Sequence, residues 1–206
     1  MSFLFFISVI GFIAMVPVHF LSVEHHRLQQ KYGEKKGTRI GDIYGILSGW
    51  GLFIFWIGIW ISPQPKYVVP ILQNFSYWFP VINFEIFLSH SLICLIFLIL
   101  SIWFAINRVK ETTLRTAETH RTKKIVTTGV YSVVRHPQYL GGLLAHIGVS
   151  FFLNAGYSLL LTPLVTVLLL LISKKEEEEL IREFGSEYED YKRTVPMFIL
   201  KFKGKN

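Results

Sequence analysis

The densest run of side chains able to do chemistry is Thr127-Thr128-Gly129-Val130-Tyr131-Ser132-Val133-Val134-Arg135-His136-Pro137-Gln138-Tyr139-Leu140-Gly141-Gly142. Proline disfavours helical geometry in the residue before it and suits a helix's first turn, so a helix is predicted to start at about Pro137. Its free amides and positive dipole end would then lie beside Arg135 and His136, a site suited to a carboxylate or phosphate. Gly141 and Gly142, one turn in, leave room for a second backbone or for a bound ligand. Each residue also has a plainer role: helix packing for the glycines, a turn for His136, a headgroup anchor for Arg135.

A second run, Lys174-Lys175-Glu176-Glu177-Glu178-Glu179-Leu180-Ile181, extends through Arg182-Glu183-Phe184-Gly185-Ser186-Glu187-Tyr188-Glu189-Asp190-Tyr191. Ile181, Phe184, Tyr188 and Tyr191 recur at helical spacing and predict one apolar face of a helix lying on a membrane surface. Four consecutive glutamates there need solvent or a cationic partner. If the two runs meet, Arg135 and the helix start can take an anion and the glutamates a cation, so one pocket could hold a zwitterion.

The elements that would bring them together are long apolar blocks. Half the 206 residues are hydrophobic, and they fall in stretches separated by charge rather than mixed at a helical period. Blocks from about Phe3 to Val23, Ile40 to Ile61 and Ile86 to Ile106 are each long enough to cross a bilayer, which takes about 20 residues. The first lacks a positive leader and a cleavage site, so it is expected to be retained as a helix. Two shorter blocks, from about Tyr139 to Leu153 and Tyr157 to Ile172, flank Asn154-Ala155-Gly156 and predict a tight helical hairpin. The fold expected is an all-α integral membrane protein with about five transmembrane helices, the fourth and fifth paired, and an interfacial C-terminal helix. A hairpin returns the start of its first arm and the end of its second to one face, which places Arg135, His136 and Tyr139 near Glu176 and Glu177.

Lysine and arginine set the orientation. Twenty of the 21 lie after the first block, before the fourth or after the fifth, and only Lys66 lies in the remaining loops. The positive-inside bias puts those three segments in the cytoplasm and the N-terminus outside. The net charge of +7 therefore reflects topology and anionic lipid rather than nucleic acid. The lone Cys94 can build neither an intrachain disulfide nor a cysteine metal site, and no metal is expected. The loop from Ser62 to Glu85 is broken by four prolines and carries Tyr77, Trp78 and Phe79, which suit an interfacial belt. His90 and His146 fall inside apolar blocks, where they mark a pathway or bond a neighbouring helix.

Arg135-His136-Pro137-Gln138-Tyr139-Leu140-Gly141, then a helix pair, then Glu176-Glu177 resembles the signature of membrane-embedded methyltransferases. That group includes isoprenylcysteine carboxyl methyltransferases and phospholipid N-methyltransferases. Phe184-Gly185-Ser186-Glu187-Tyr188-Glu189-Asp190-Tyr191 through Val195-Pro196 is more similar to the isoprenylcysteine branch. The resemblance implies S-adenosylmethionine as methyl donor and a lipophilic small molecule or lipidated protein as acceptor. It implies that His136, Tyr139, Gly141, Glu176 and Glu177 bind the donor with Gly129 and Tyr131. Arg135 and Glu177 would serve the reaction, Arg135 by bracing the pocket or orienting an anionic acceptor. On this reading residues 1–206 form one membrane domain: 1–106 carry three helices, and 107–206 carry the cofactor-binding loop, the hairpin and the C-terminal helix.

One departure bears on the acceptor. Met197 stands where many relatives carry arginine, which points to another substrate or to Arg193 in its place. A carboxylate acceptor needs no base, whereas an ammonium headgroup must lose a proton, to His136 or His120 for example. Carboxyl methylation of a prenylated cysteine is the first expectation, phospholipid N-methylation the second, and a small transporter or scaffold the alternative outside enzymes.

Overall fold

The computed structural model describes residues 2–71, 75–81, 84–112 and 125–198. Helix α1 runs Phe3–Val23, capped by the Ser2 hydroxyl, which accepts from the Phe5 amide at 3.2 Å. A short α2 (His25–Tyr32) follows, and Gly33, at φ +80°, turns the chain into α3 (Glu34–Ile61). The approach of α2 to the first turn of α3 is close, since a Cβ on Gly37 would lie 2.4 Å from the Leu28 carbonyl. Helix α3 therefore starts six residues before the apolar block at Ile40, its charged first turns carrying the helix beyond the apolar span.

Past the proline-rich stretch, β1 (Ser76–Phe79) pairs antiparallel with β2 (Phe84–Phe87). The expected irregular loop thus contains a hairpin, and α4 (Leu88–Glu111) begins two residues later than the third block. Tyr77, Trp78 and Phe79 are exposed, as an interfacial belt requires. A 3-10 turn (Gly129–Ser132) leads to α5 (Pro137–Phe152), with Pro137 at its first position as predicted. Asn154, at φ +55°, closes the turn to α6 (Gly156–Leu160), and α7 (Thr162–Phe184) completes the hairpin.

Among the described residues, α1, α3 and α4 are each long and apolar enough to cross a membrane. Their outer faces expose large apolar side chains such as Ile10, Ile43, Trp50, Ile54, Ile96 and Ile99, the surface of a protein whose solvent is lipid. Helix α1 packs on α3, α4 on α5, and both α1 and α5 on α7. His90 and His146 serve that packing. His90 lies 2.5 Å from the Asn154 side chain and accepts from the Val69 amide at 3.0 Å; His146 accepts from the Trp56 indole at 2.8 Å and faces the Ser158 carbonyl at 3.1 Å.

The single C-terminal surface helix is corrected. Helix α7 continues unbroken from the apolar span through the glutamates to Phe184, and Gly185, at φ +58°, ends it. A separate α8 (Ser186–Thr194) follows. Tyr188 and Tyr191 are buried at 3% and 8% exposure, so they face protein and not the membrane surface.

Candidate active site

Proline geometry puts His136 just outside α5, in non-helical backbone, with its ring turned into the protein at 2% exposure. The hairpin delivers α7 to the same place. His136 Nε2 is 3.1 Å from Glu177 Oε1, and its Nδ1 is 3.4 Å from Glu176 Oε2. Both ring nitrogens therefore face acceptors, the arrangement of a doubly protonated imidazolium. Burial alone would depress this imidazole, but the Glu176 and Glu177 carboxylates outweigh it and raise it above the ordinary histidine value.

Arg135 is committed on both sides. Its Nε donates to Glu177 Oε1 at 2.7 Å, and its Nη1 donates to the carbonyls of Lys192, at 2.9 Å, and Val195. Its backbone amide donates to the Pro196 carbonyl at 3.0 Å. Lys192 Nζ adds a pair to Glu177 Oε2 at 3.0 Å. Burial pushes the Glu177 carboxyl up, but His136, Arg135 and Lys192 overcome it and hold it at about 2. These contacts fold residues 192–196 under the hairpin, and the Tyr191 hydroxyl donates to the Tyr131 carbonyl at 2.7 Å to seat α8 against the 3-10 turn. Tyr139 donates to Glu176 Oε1, its ring beside His136.

A cavity of about 110 Å³, partly open to solvent, adjoins this cluster. Tyr131, Arg135, His136 and Glu176 line it, as the motif implies. Glu177 and Tyr139 are not among its lining residues: Glu177, 1% exposed, holds the cluster together from behind. Two of the motif glycines lie away from this cavity. Gly129 does not line the cavity; it holds φ +56° with the Glu111 carboxylate where a Cβ would stand, 2.0 Å from Oε1. Gly141 does not line it either. A Cβ there would meet the Ser101 carbonyl and Phe104 Cβ, both at 3.4 Å, so this glycine seats α5 on α4.

Other wall residues lie outside the expected set of donor-binding residues. Arg108, from the last turn of α4, lines the cavity, and its buried Nε lacks a hydrogen bond among the described residues. Gln138 presents a buried Oε1 that has no hydrogen bond among the described residues. Glu179, Glu183, Tyr188 and Tyr191 complete an acidic and aromatic side. Arg193 is exposed, pairs with Asp190 at 3.2 Å and does not reach the cavity. His120 and Ile199 lie outside the described residues.

The phospholipid methyltransferase family model matches residues 84–187, half of the chain, from β2 through the cluster to the start of α8. No curated protein matches. Among solved structures, the whole chain is similar to the whole of a eukaryotic intramembrane Ras methyltransferase, an isoprenylcysteine carboxyl methyltransferase, at 18% identity and a TM-score of 0.41. With the family matched across the hairpin and the apolar helices in place, the chain belongs to the phospholipid methyltransferase family and is a membrane methyltransferase.

Proposed function

We propose that the chain transfers a methyl group from S-adenosylmethionine to a carboxylate on a lipophilic acceptor of the isoprenylcysteine type. The observation that carries this reading is the mixed charge of the cavity wall: glutamates 176, 179 and 183 together with the Arg108 guanidinium, whose buried Nε has no hydrogen bond among the described residues. The residues present suit such a donor. Gln138 Oε1 offers an acceptor to an ammonium or ring amine, Arg108 Nε a donor to a carboxylate, and the aromatic side an apolar wall. When bound, S-adenosylmethionine supplies an electrophilic methyl group on a sulfonium.

The chain's own part is to bind, orient and exclude water. Arg135 and Glu177 act as braces: their mutual bond and the tail carbonyls on Arg135 keep the mouth of the hairpin closed on His136 and Glu176. Burial of the cluster keeps bulk water from one side of the cavity.

The choice of acceptor rests on how Glu177 and His136 are already committed within the cluster. Glu177, held at about 2, is a poor proton acceptor, and both ring nitrogens of His136 are engaged by carboxylates, which raise it above the ordinary histidine value. An acceptor that arrives as a carboxylate needs neither. The family match favours the second reading, a phospholipid amine headgroup. The clustered lysines and arginines flank the cavity end of the helices, which supports a cytoplasmic site, with the C-terminus inside and the N-terminus outside.

Detergent-purified protein, supplied with methyl-labelled S-adenosylmethionine, is offered a farnesylcysteine analogue or phosphatidylethanolamine vesicles. Base-labile label in the first is the expected result. Base-stable label in the vesicles alone assigns the amine reading, and no label from either, in protein that does not bind S-adenosylhomocysteine, removes donor and acceptor together.

A further inference from the structure

The motif residues all follow position 125 and the family match starts at residue 84, which leaves α1 and α3 without an assigned part. One side chain crosses that division. His19 sits on the apolar helix α1 and is 2% exposed. A polar ring on a membrane-crossing helix is costly to bury, and such residues face protein partners.

The partners of His19 come from three other helices. Its Nδ1 is 3.3 Å from Ser48 Oγ on α3. That hydroxyl donates its own hydrogen to the Gly45 carbonyl at 3.2 Å, so it meets the ring as an acceptor. Nε2 lies 3.3 Å from the Tyr139 hydroxyl on α5 and 3.4 Å from Glu176 Oε1 on α7. Tyr139 spends its hydrogen on the same carboxylate oxygen. The other oxygen of Glu176 faces His136.

From this arrangement we infer that His19 is a positioning residue of the active site: fixed on Ser48, it holds the Glu176 carboxylate in place at the cavity wall. Glu176 is a long side chain with several rotatable bonds, and it lines the cavity past the apolar part of α7. Tyr139 and His19 grip one oxygen from two helices, and His136 grips the other. Helices α1 and α3 thus contribute to the site through Glu176, although neither holds a motif residue. The inference rests on the proposal that Glu176 contacts the methyl donor.

A histidine that merely satisfied the core would affect stability alone, so the test reads binding and rate as well. Full-length wild type, His19→Ala, His19→Gln and Ser48→Ala are compared by titration with S-adenosylhomocysteine, by melting temperature, and by initial rates against S-adenosylmethionine. His19→Ala is expected to weaken S-adenosylhomocysteine roughly tenfold, the loss of one hydrogen bond to a charged group, and to raise KM in proportion while leaving kcat within about threefold. His19→Gln keeps an amide donor and recovers most of the affinity; Ser48→Ala weakens binding roughly threefold. Unchanged binding by folded His19→Ala overturns the inference. So does equal weakening by Ala and Gln that tracks a fall in melting temperature. If His19→Ala does not fold, the Gln and Ser48 variants decide by the same criteria. Wild type that fails to bind S-adenosylhomocysteine removes the donor site itself, and the inference with it.

Discussion

Glu177→Gln isolates the charge that holds the cluster together. The side chain is 1% exposed and meets Arg135, His136 and Lys192 at 2.7, 3.1 and 3.0 Å. Glutamine keeps the size and one acceptor oxygen but leaves those cations without their anion. The carboxyl titrates at about 2 in the folded protein against an ordinary 4.5, a difference of about 2.5 units or roughly 3 kcal/mol. The general cost of breaking a buried pair from one side is similar, about 3–5 kcal/mol. The sign follows from linkage: a depressed carboxyl contributes stability above its unfolded value, and that contribution is lost as pH falls from about 5 towards 2. Melting in detergent should therefore show the variant lower by roughly 6–12 °C at pH 7 for a chain of this size. Between pH 5 and 2.5 the wild type should fall towards the variant, which should be flatter. A variant that melts with the wild type at pH 7, or two curves that run parallel through the acid range, would refute the reasoning.

Further outcomes follow from neighbouring contacts. Gly129→Ala forces a Cβ into the Glu111 carboxylate at a positive φ, and should cost about 1–3 kcal/mol, read as a lower melting temperature. Tyr191→Phe removes the hydroxyl that seats α8 on the Tyr131 carbonyl; a loss of about 1 kcal/mol and faster proteolysis after Phe184 are expected. Lys175→Met breaks the 2.8 Å pair with Glu24 that ties α7 to the end of α1, and should cost about 1 kcal/mol or less because both groups are partly exposed. The Lys175 contact, with Arg27, holds the Glu24 carboxyl below its ordinary value, so that small difference should vanish in the acid range and persist at neutral pH.

Much of this molecule was legible in local rules. Block length marks three crossing helices, because the bilayer sets a minimum apolar run and nothing else in a chain of this size demands one. Pro137 sets the start of α5 through sterics that act within two residues, and Asn154-Ala155-Gly156 makes a hairpin whose closure alone brings Arg135 and His136 to Glu176 and Glu177. The break at Gly185 had a signal, a glycine inside a periodic run, but the apolar spacing of Ile181, Phe184, Tyr188 and Tyr191 masked it.

Which faces meet was decided by tertiary packing. Helix α1 is apolar all round, so its periodicity singles out no inward face, and only its docking on α3 and α7 turns His19 to a carboxylate 157 positions away. Arg108 and Gln138 become a cavity wall only because α4 lies against α5, and Gly141 is consumed by that same contact instead of opening to a ligand. Tyr188 and Tyr191 face inward because Arg135 captures the tail carbonyls beyond them. Local sterics and segment length operate over a few residues and are written in the order of the chain, whereas the partners of a polar group in an apolar bundle depend on helices that only the folded protein brings together.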